Sequence, residues 1–321
     1  MDHVEANKIL KQASQHIMKI QYIVYKPQAA KQWLINQANA IIERQAALGF
    51  RLTLRALHYQ LFSRELTDNT EPDYNRLSIT IARAREAGLV DWDAIIDNTR
   101  NLNTTPWWDS PAALMRGVAE QFSTDRWARQ PRRCEVWSEK NALSGVVGPT
   151  CKRYHVPYTA VRGFDSTTEM WGAGQRIESY LEADQRVTII YLGDHDPAGF
   201  AMSADVENRL RRFVRGDFSN VTINRVAINP GQVQQYNLKP NWARVDARRY
   251  PAYVKKYGTR YKWELDALEP AVLVALVQGA IDDVIDMPLW LEATAEDESE
   301  RDRLRAIAER WDDVTSMVGE S

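Results

Sequence analysis

Three carboxylates have the type and spacing for metal-assisted chemistry. Glu139 lies in the segment Trp137-Ser138-Glu139-Lys140-Asn141, and Asp194 and Asp196 lie in Leu192-Gly193-Asp194-His195-Asp196-Pro197-Ala198-Gly199. An alternating Asp-x-Asp aims two like charges into one crevice, which is costly unless a cation neutralises them. Hard oxygen ligands favour magnesium, with manganese able to substitute, and magnesium keeps waters and can bridge to a phosphate. Gly193, Pro197 and Gly199 suit a tight turn with close ligand approach. Asp-x-Asp alone is equally the composition of a metal-free acidic turn. The presence of Glu139 one strand-helix-strand unit earlier favours the metal.

The elements that must hold these residues follow from the hydrophobic pattern. Apolar runs at Cys134–Trp137, Val156–Val161, Val187–Leu192 and Val221–Ile228 read as strands, alternating with helix-like segments at about 141–153, 167–183 and 198–215. That alternation predicts an α/β fold with a mostly parallel sheet covered by helices. Ligands of such sheets collect at the carboxyl ends of the strands, where all three acids fall. The domain is expected over 131–285. Before it, residues 1–48 read as a helical arm broken near Lys26-Pro27. Residues 49–109 read as two helices and a strand-like tail, the pattern of a winged helix-turn-helix, with Arg76, Thr80 and Arg83 on one face of the second helix. A helical connector at 110–130 and an acidic helical tail at 286–321 complete the chain.

The net charge of −2 hides a strong segregation. Between Asn208 and Lys262 there are 13 Lys and Arg against two acids, whereas from Asp282 to Ser321 there are 13 acids against four Arg. Such runs are often only solvated faces. In the basic stretch, however, Arg248, Arg249, Lys255, Lys256 and Arg260 are interleaved with Tyr250, Tyr253, Tyr257, Tyr261 and Trp263, and cations beside stacking rings suit a nucleic-acid track. Lys140, next to Glu139, joins this candidate set. The two cysteines, Cys134 and Cys151, suggest neither a disulfide framework nor a thiolate zinc site, and no apolar run is long enough to span a membrane. A cytoplasmic protein is the default expectation.

Glu139-Lys140-Asn141-Ala142-Leu143 after one strand and Asp194-His195-Asp196-Pro197-Ala198-Gly199 after a later one resemble the Toprim domain. More specifically they resemble the topoisomerase VI A subunit and the meiotic double-strand-break transesterase, which also carry a segment similar to Arg162-Gly163-Phe164-Asp165-Ser166. The resemblance spans roughly 131 to 285. It implies that Glu139 is an acid/base and metal ligand, that Asp194 and Asp196 hold magnesium, and that a winged helix precedes the sheet and carries a nucleophilic tyrosine.

The matching tyrosine is Tyr59, in Arg55-Ala56-Leu57-His58-Tyr59, where His58 stands in a place that is often aromatic in the family. Helical periodicity puts Leu54, Leu57, His58 and Leu61 on the buried stripe and leaves Tyr59 on the exposed side, with Arg55 one turn before it. A guanidinium there could hold a phosphate or favour the phenolate. The resemblance implies double-stranded DNA as substrate, a 5′-phosphotyrosyl intermediate and a homodimer in which the tyrosine of one subunit serves the metal site of the other. No ATP-binding Gly-x-x-x-x-Gly-Lys-[Ser/Thr] loop is present, so strand passage would need a separate ATPase B-type subunit. A metal-dependent nuclease using water, a Toprim primase and a catalytically silent DNA-binding scaffold are the alternatives.

Overall fold

The computed structural model describes residues 19–96, 107–160, 167–242 and 250–319. The helices are α1 (Ala29–Ala47), α2 (Leu54–Ser63), α3 (Glu71–Glu86), α4 (Pro111–Gln121), α5 (Ser144–Arg153), α6 (Thr167–Glu182), α7 (Pro197–Phe213), α8 (Pro230–Gln235), α9 (Tyr250–Tyr257), α10 (Pro270–Asp282), α11 (Met287–Glu309) and α12 (Trp311–Gly319). The strands are β1 (Arg132–Ser138), β2 (Tyr158–Ala160), β3 (Arg186–Leu192), β4 (Val221–Ala227), β5 (Asn241–Trp242) and β6 (Tyr261–Lys262).

The first four strands form one parallel sheet in the order β2-β1-β3-β4. The apolar run of β3 places it at the centre, because its side chains must be buried on both faces. Val187, Ile189 and Tyr191 pack with Ile177 of α6 and Val206 and Leu210 of α7, while Ile190 and Leu192 pack with Val147 of α5 and Leu273 and Val277 of α10. The result is a mixed α/β fold with helices on both faces of an all-parallel sheet, as the sequence pattern predicts.

Within the amino-terminal helical unit, Thr53 caps α2 by accepting from Ala56 N, and Thr70 caps α3 by accepting from Asp73 N. Glu71 and Asp73 in the first turn of α3 and Arg83 and Arg85 in its last turn complement the helix dipole. Leu34, Ile41, Leu57, Leu61, Leu77 and Ile81 join one continuous core with Val136, Ile190 and Leu192 of the sheet, so the unit is packed onto the sheet layer. Among the described residues, the strand-like tail after α3 makes an isolated bridge, Leu52 to Ile95, and there is no wing ribbon. Thr80 does not belong to the exposed face of α3: its side chain is buried and its hydroxyl donates to the Arg76 carbonyl. The first predicted helix of the arm falls largely outside the described residues, and α1 is the second.

The acidic carboxy-terminal region is not a detached tail. Its helix α11 lies against α4 and buries Trp290, Ala293, Asp297 and Ala308. Among the described residues no helix is long and apolar enough to cross a membrane.

Candidate active site

Adjacent parallel strands bring their carboxyl ends together, and Glu139 therefore meets the loop after β3. Its backbone N–H donates to the Leu192 carbonyl at 3.0 Å. Its Oε1 accepts from the Tyr191 hydroxyl at 2.8 Å and its Oε2 from the Asp194 N–H at 3.1 Å. Burial pushes the Glu139 carboxyl above the usual glutamate range, against the Tyr191 hydrogen bond and the nearby Arg225 guanidinium. A side chain at 199 would collide with the Asp194 carbonyl, which explains the glycine there. Arg225, on β4, clamps the same loop by donating to the Asp194 carbonyl and, at 2.6 Å, to Ser203 Oγ.

Asp194 and Asp196 share the sheet edge but not one point in space. Asp194 Oδ1 accepts from the Leu265 N–H at 2.8 Å, and its Oδ2 lies 3.2 Å from Lys140 Nζ. Burial drives the Asp194 carboxyl up to about 7, against the pull of Lys140. Asp196 Oδ1 accepts from the Gly199 N–H at 2.7 Å, so this carboxylate caps the amino terminus of α7. His195, between them, points inward: its Nδ1 is 2.7 Å from the Tyr253 hydroxyl, and the rings of Phe200, Tyr257 and Trp263 surround it. Burial lowers its pKa to about 4.

The expectation that Asp-x-Asp aims both carboxylates into one crevice is thus corrected. Among the described residues no three His, Cys, Asp or Glu side chains converge as a metal-holding group in this conformation.

A second pair of acids completes the site. His195 and Trp263 exchange backbone hydrogen bonds at 2.8 and 3.0 Å, which fixes the segment after β6 against the Asp194 loop. Glu264 and Asp266 follow at once, and both are buried. Lys140 Nζ lies 2.8 Å from Glu264 Oε2, 3.0 Å from Asp266 Oδ2 and 3.2 Å from Asp194 Oδ2. Lys140 was expected to meet nucleic acid; instead it is the shared counter-ion of three carboxylates. Burial opposes its charge, but Asp266, Asp194 and Glu264 outweigh burial and hold its pKa well above the lysine range. Lys262 Nζ reaches Glu264 Oε1 at 2.8 Å, and despite burial the two ammonium groups hold Glu264 down at about 2.

Asp266 differs from its neighbours. Its side chain is fully enclosed, and neither oxygen accepts a hydrogen bond of acceptable geometry although the Lys140 ammonium is near. An enclosed carboxylate that accepts no hydrogen bond, with the Lys140 ammonium as its neighbouring cation, is an unfilled acceptor at the site.

Tyr59 enters this cluster from α2. It is only 4% exposed, and its hydroxyl donates to Glu264 Oε2. The exposure expected from helical periodicity is corrected: α2 is buried on two faces, one against α1 and α3 and the other against residues 264–268, where Gln60 Nε2 also donates to the Leu268 carbonyl at 3.3 Å. Burial pushes the Tyr59 phenol well above its usual range. Arg55 is exposed, and its guanidinium sits 5.6 Å from the Tyr59 ring centroid and 5.2 Å from that of Tyr74. It flanks the ring and makes no bond to the hydroxyl.

No family model, curated protein or solved structure matches the chain. The functional reading rests on the site itself.

The remaining candidate residues are dispersed. Arg76 and Arg83 are exposed on α3, and Arg76 pairs with Asp73 at 2.8 Å. Lys255 and Lys256 are exposed on α9, and Arg260 is exposed just before β6. Arg248, Arg249 and the segment 162–166 lie outside the described residues. Sequence reasoning missed Arg225, Glu264 and Asp266. The one signal for the acids was a second alternating pair, Glu264-Leu265-Asp266, directly after the basic aromatic stretch.

Proposed function

We propose that the chain binds double-stranded DNA and breaks its backbone by metal-assisted phosphoryl transfer, with Tyr59 as the nucleophile. The observation that carries this reading is the Tyr59 hydroxyl itself, which a separate helical unit delivers into the cluster containing Lys140, Glu264 and Asp194. In this reading the Tyr59 hydroxyl passes its proton to Glu264, to which it already donates, its oxygen bonds to phosphorus, the bond from phosphorus to the 3′ oxygen breaks, and a protonated Glu139 gives its proton to the leaving oxygen. Its raised pKa suits a proton donor. Magnesium, or manganese in its place, would stabilise charge on the phosphate. Asp194 and Glu139 are its proposed ligands, with Asp196 joining after giving up its helix cap.

The finer assignments belong to the same proposal. A parallel sheet with Glu139 and Asp194 at neighbouring carboxyl ends supports a Toprim reading, and the α2–α3 pair supports the helical part of a winged helix, with Arg76 and Arg83 toward DNA. A homodimer making paired cuts, and a separate ATPase subunit for strand passage, follow from the resemblance alone.

The burial of Tyr59 favours a second reading, in which water is the nucleophile and the tyrosine only orders Glu264. Denaturing gels of DNA incubated with wild type, Tyr59→Phe and Asp194→Ala in magnesium or manganese separate the two. A covalent protein–DNA adduct lost in both variants is expected. Cleavage without an adduct that persists in Tyr59→Phe establishes the hydrolytic reading, and absence of cleavage and adduct throughout leaves a DNA-binding scaffold.

A further inference from the structure

The strands β5 and β6 form a two-residue antiparallel ribbon in which Trp242 stands opposite Tyr261. Their ring centroids are 4.8 Å apart at an interplanar angle of 44°. Trp242 is 69% exposed, and Tyr261, at 38%, backs edge-on against Trp263 while keeping part of its ring open to solvent. The ribbon runs directly into Trp263, whose backbone is bridged to His195 between Asp194 and Asp196. An exposed aromatic pair therefore stands at the rim of the carboxylate site.

Charge identifies what such a rim can hold. From Tyr250 to Lys262 the chain carries Lys255, Lys256, Arg260 and Lys262 and no acid. Lys262 turns inward to Glu264, while Lys255, Lys256 and Arg260 remain exposed. Flat apolar faces together with cations that pair with no carboxylate among the described residues match a strand that is polyanionic along its backbone and aromatic in its bases. Inside a duplex both faces of a base are covered by its neighbours, so a stacking subsite selects a base that has left the stack.

We propose that Trp242 and Tyr261 form a stacking subsite for an unpaired nucleobase of a DNA strand at the candidate site, with its phosphates following Lys255, Lys256 and Arg260. This rests on the DNA-binding reading above.

Fluorescence anisotropy with a labelled single strand, and with the blunt duplex containing it, tests the subsite. Trp242→Ala weakens single-strand binding roughly five- to a hundredfold and duplex binding less than about twofold, the range expected when one base loses its aromatic partner. Trp242→Phe keeps most of the affinity, whereas Trp242→Leu, which retains apolar bulk without a π face, loses it. Lys255→Ala/Lys256→Ala weakens both ligands and flattens the salt dependence. Equal losses for single strand and duplex in Trp242→Ala, or full binding by Trp242→Leu, overturn the subsite. Where wild type binds DNA and Trp242→Ala changes nothing, the subsite alone fails; where wild type binds neither ligand, the DNA-binding reading fails with it.

Discussion

Two buried charge clusters in this molecule are built on opposite terms. On α11, Asp297 accepts from Thr124 N at 2.9 Å, Thr124 Oγ1 at 2.7 Å and Arg126 Nε at 2.6 Å. Burial alone would raise its pKa, but these donors outweigh burial and hold the carboxyl at about 2. At the sheet edge, one Lys140 ammonium serves Asp194, Glu264 and Asp266 together. There, burial wins at Asp194, which rises to about 7, and Asp266 accepts no hydrogen bond. A network whose every acceptor is filled holds structure in place. One in which Lys140 is shared among three carboxylates, with Lys262 reaching only Glu264, has fewer positive charges than acids, and such sites are where ligands often act.

The largest expected effect breaks the satisfied cluster. Asp297→Ala leaves Arg126 buried without its partner and should cost about 3–5 kcal/mol in urea unfolding, the usual loss when one member of a buried pair is removed. The pH dependence has a definite sign. Because the folded pKa of Asp297 lies below the usual aspartate value, its contribution is present above about pH 4 and disappears as pH falls toward about 2. In Asp297→Asn that acid limb should flatten. A cost below about 1 kcal/mol for the alanine variant would erase the contrast between the clusters.

Breaking the under-satisfied cluster should cost less, because it has a way to adapt. Lys140→Met removes the shared cation, yet Asp194 already holds its proton up to about pH 7 and can shed its charge. A loss of about 2 kcal/mol at neutral pH, shrinking toward pH 5, is expected. Magnesium or manganese should raise the melting temperature of Lys140→Met more than that of wild type and shift Asp297→Ala, whose sheet-edge cluster is intact, only as much as wild type. Equal shifts in all three proteins would show that the carboxylates have no special capacity for a cation.

The same contrast explains what was legible in the sequence. The sheet was readable because β3 is apolar at nearly every position, and the positions of Glu139 and Asp194 followed from strand ends. Tyr59 was misplaced because a periodicity argument gives a helix one buried face, whereas α2 is covered on two, the second by residues some two hundred positions later. Lys140 looked like a surface cation because nothing local announces the acids that enclose it. Glu264 and Asp266 reach Asp194 only through the bridge between His195 and Trp263, a pairing of single residues with no sequence period. Asp297 was hidden in an acidic run that reads as a solvated face.

The smallest effect sharpens the comparison at Asp196, which belongs to the site by sequence and to the helix by geometry. Asparagine is as good an amino-terminal cap as aspartate, so Asp196→Asn should change stability by only a few tenths of a kcal/mol, while Asp196→Ala should cost about 1 kcal/mol. A magnesium ligand must be judged by charge. If Asp196 leaves α7 to hold the metal, the asparagine variant should lose cleavage as fully as the alanine variant although only alanine weakens the fold. If Asn cleaves like wild type and Ala fails only near its melting temperature, Asp196 acts as a helix cap alone and drops out of the proposed ligand set.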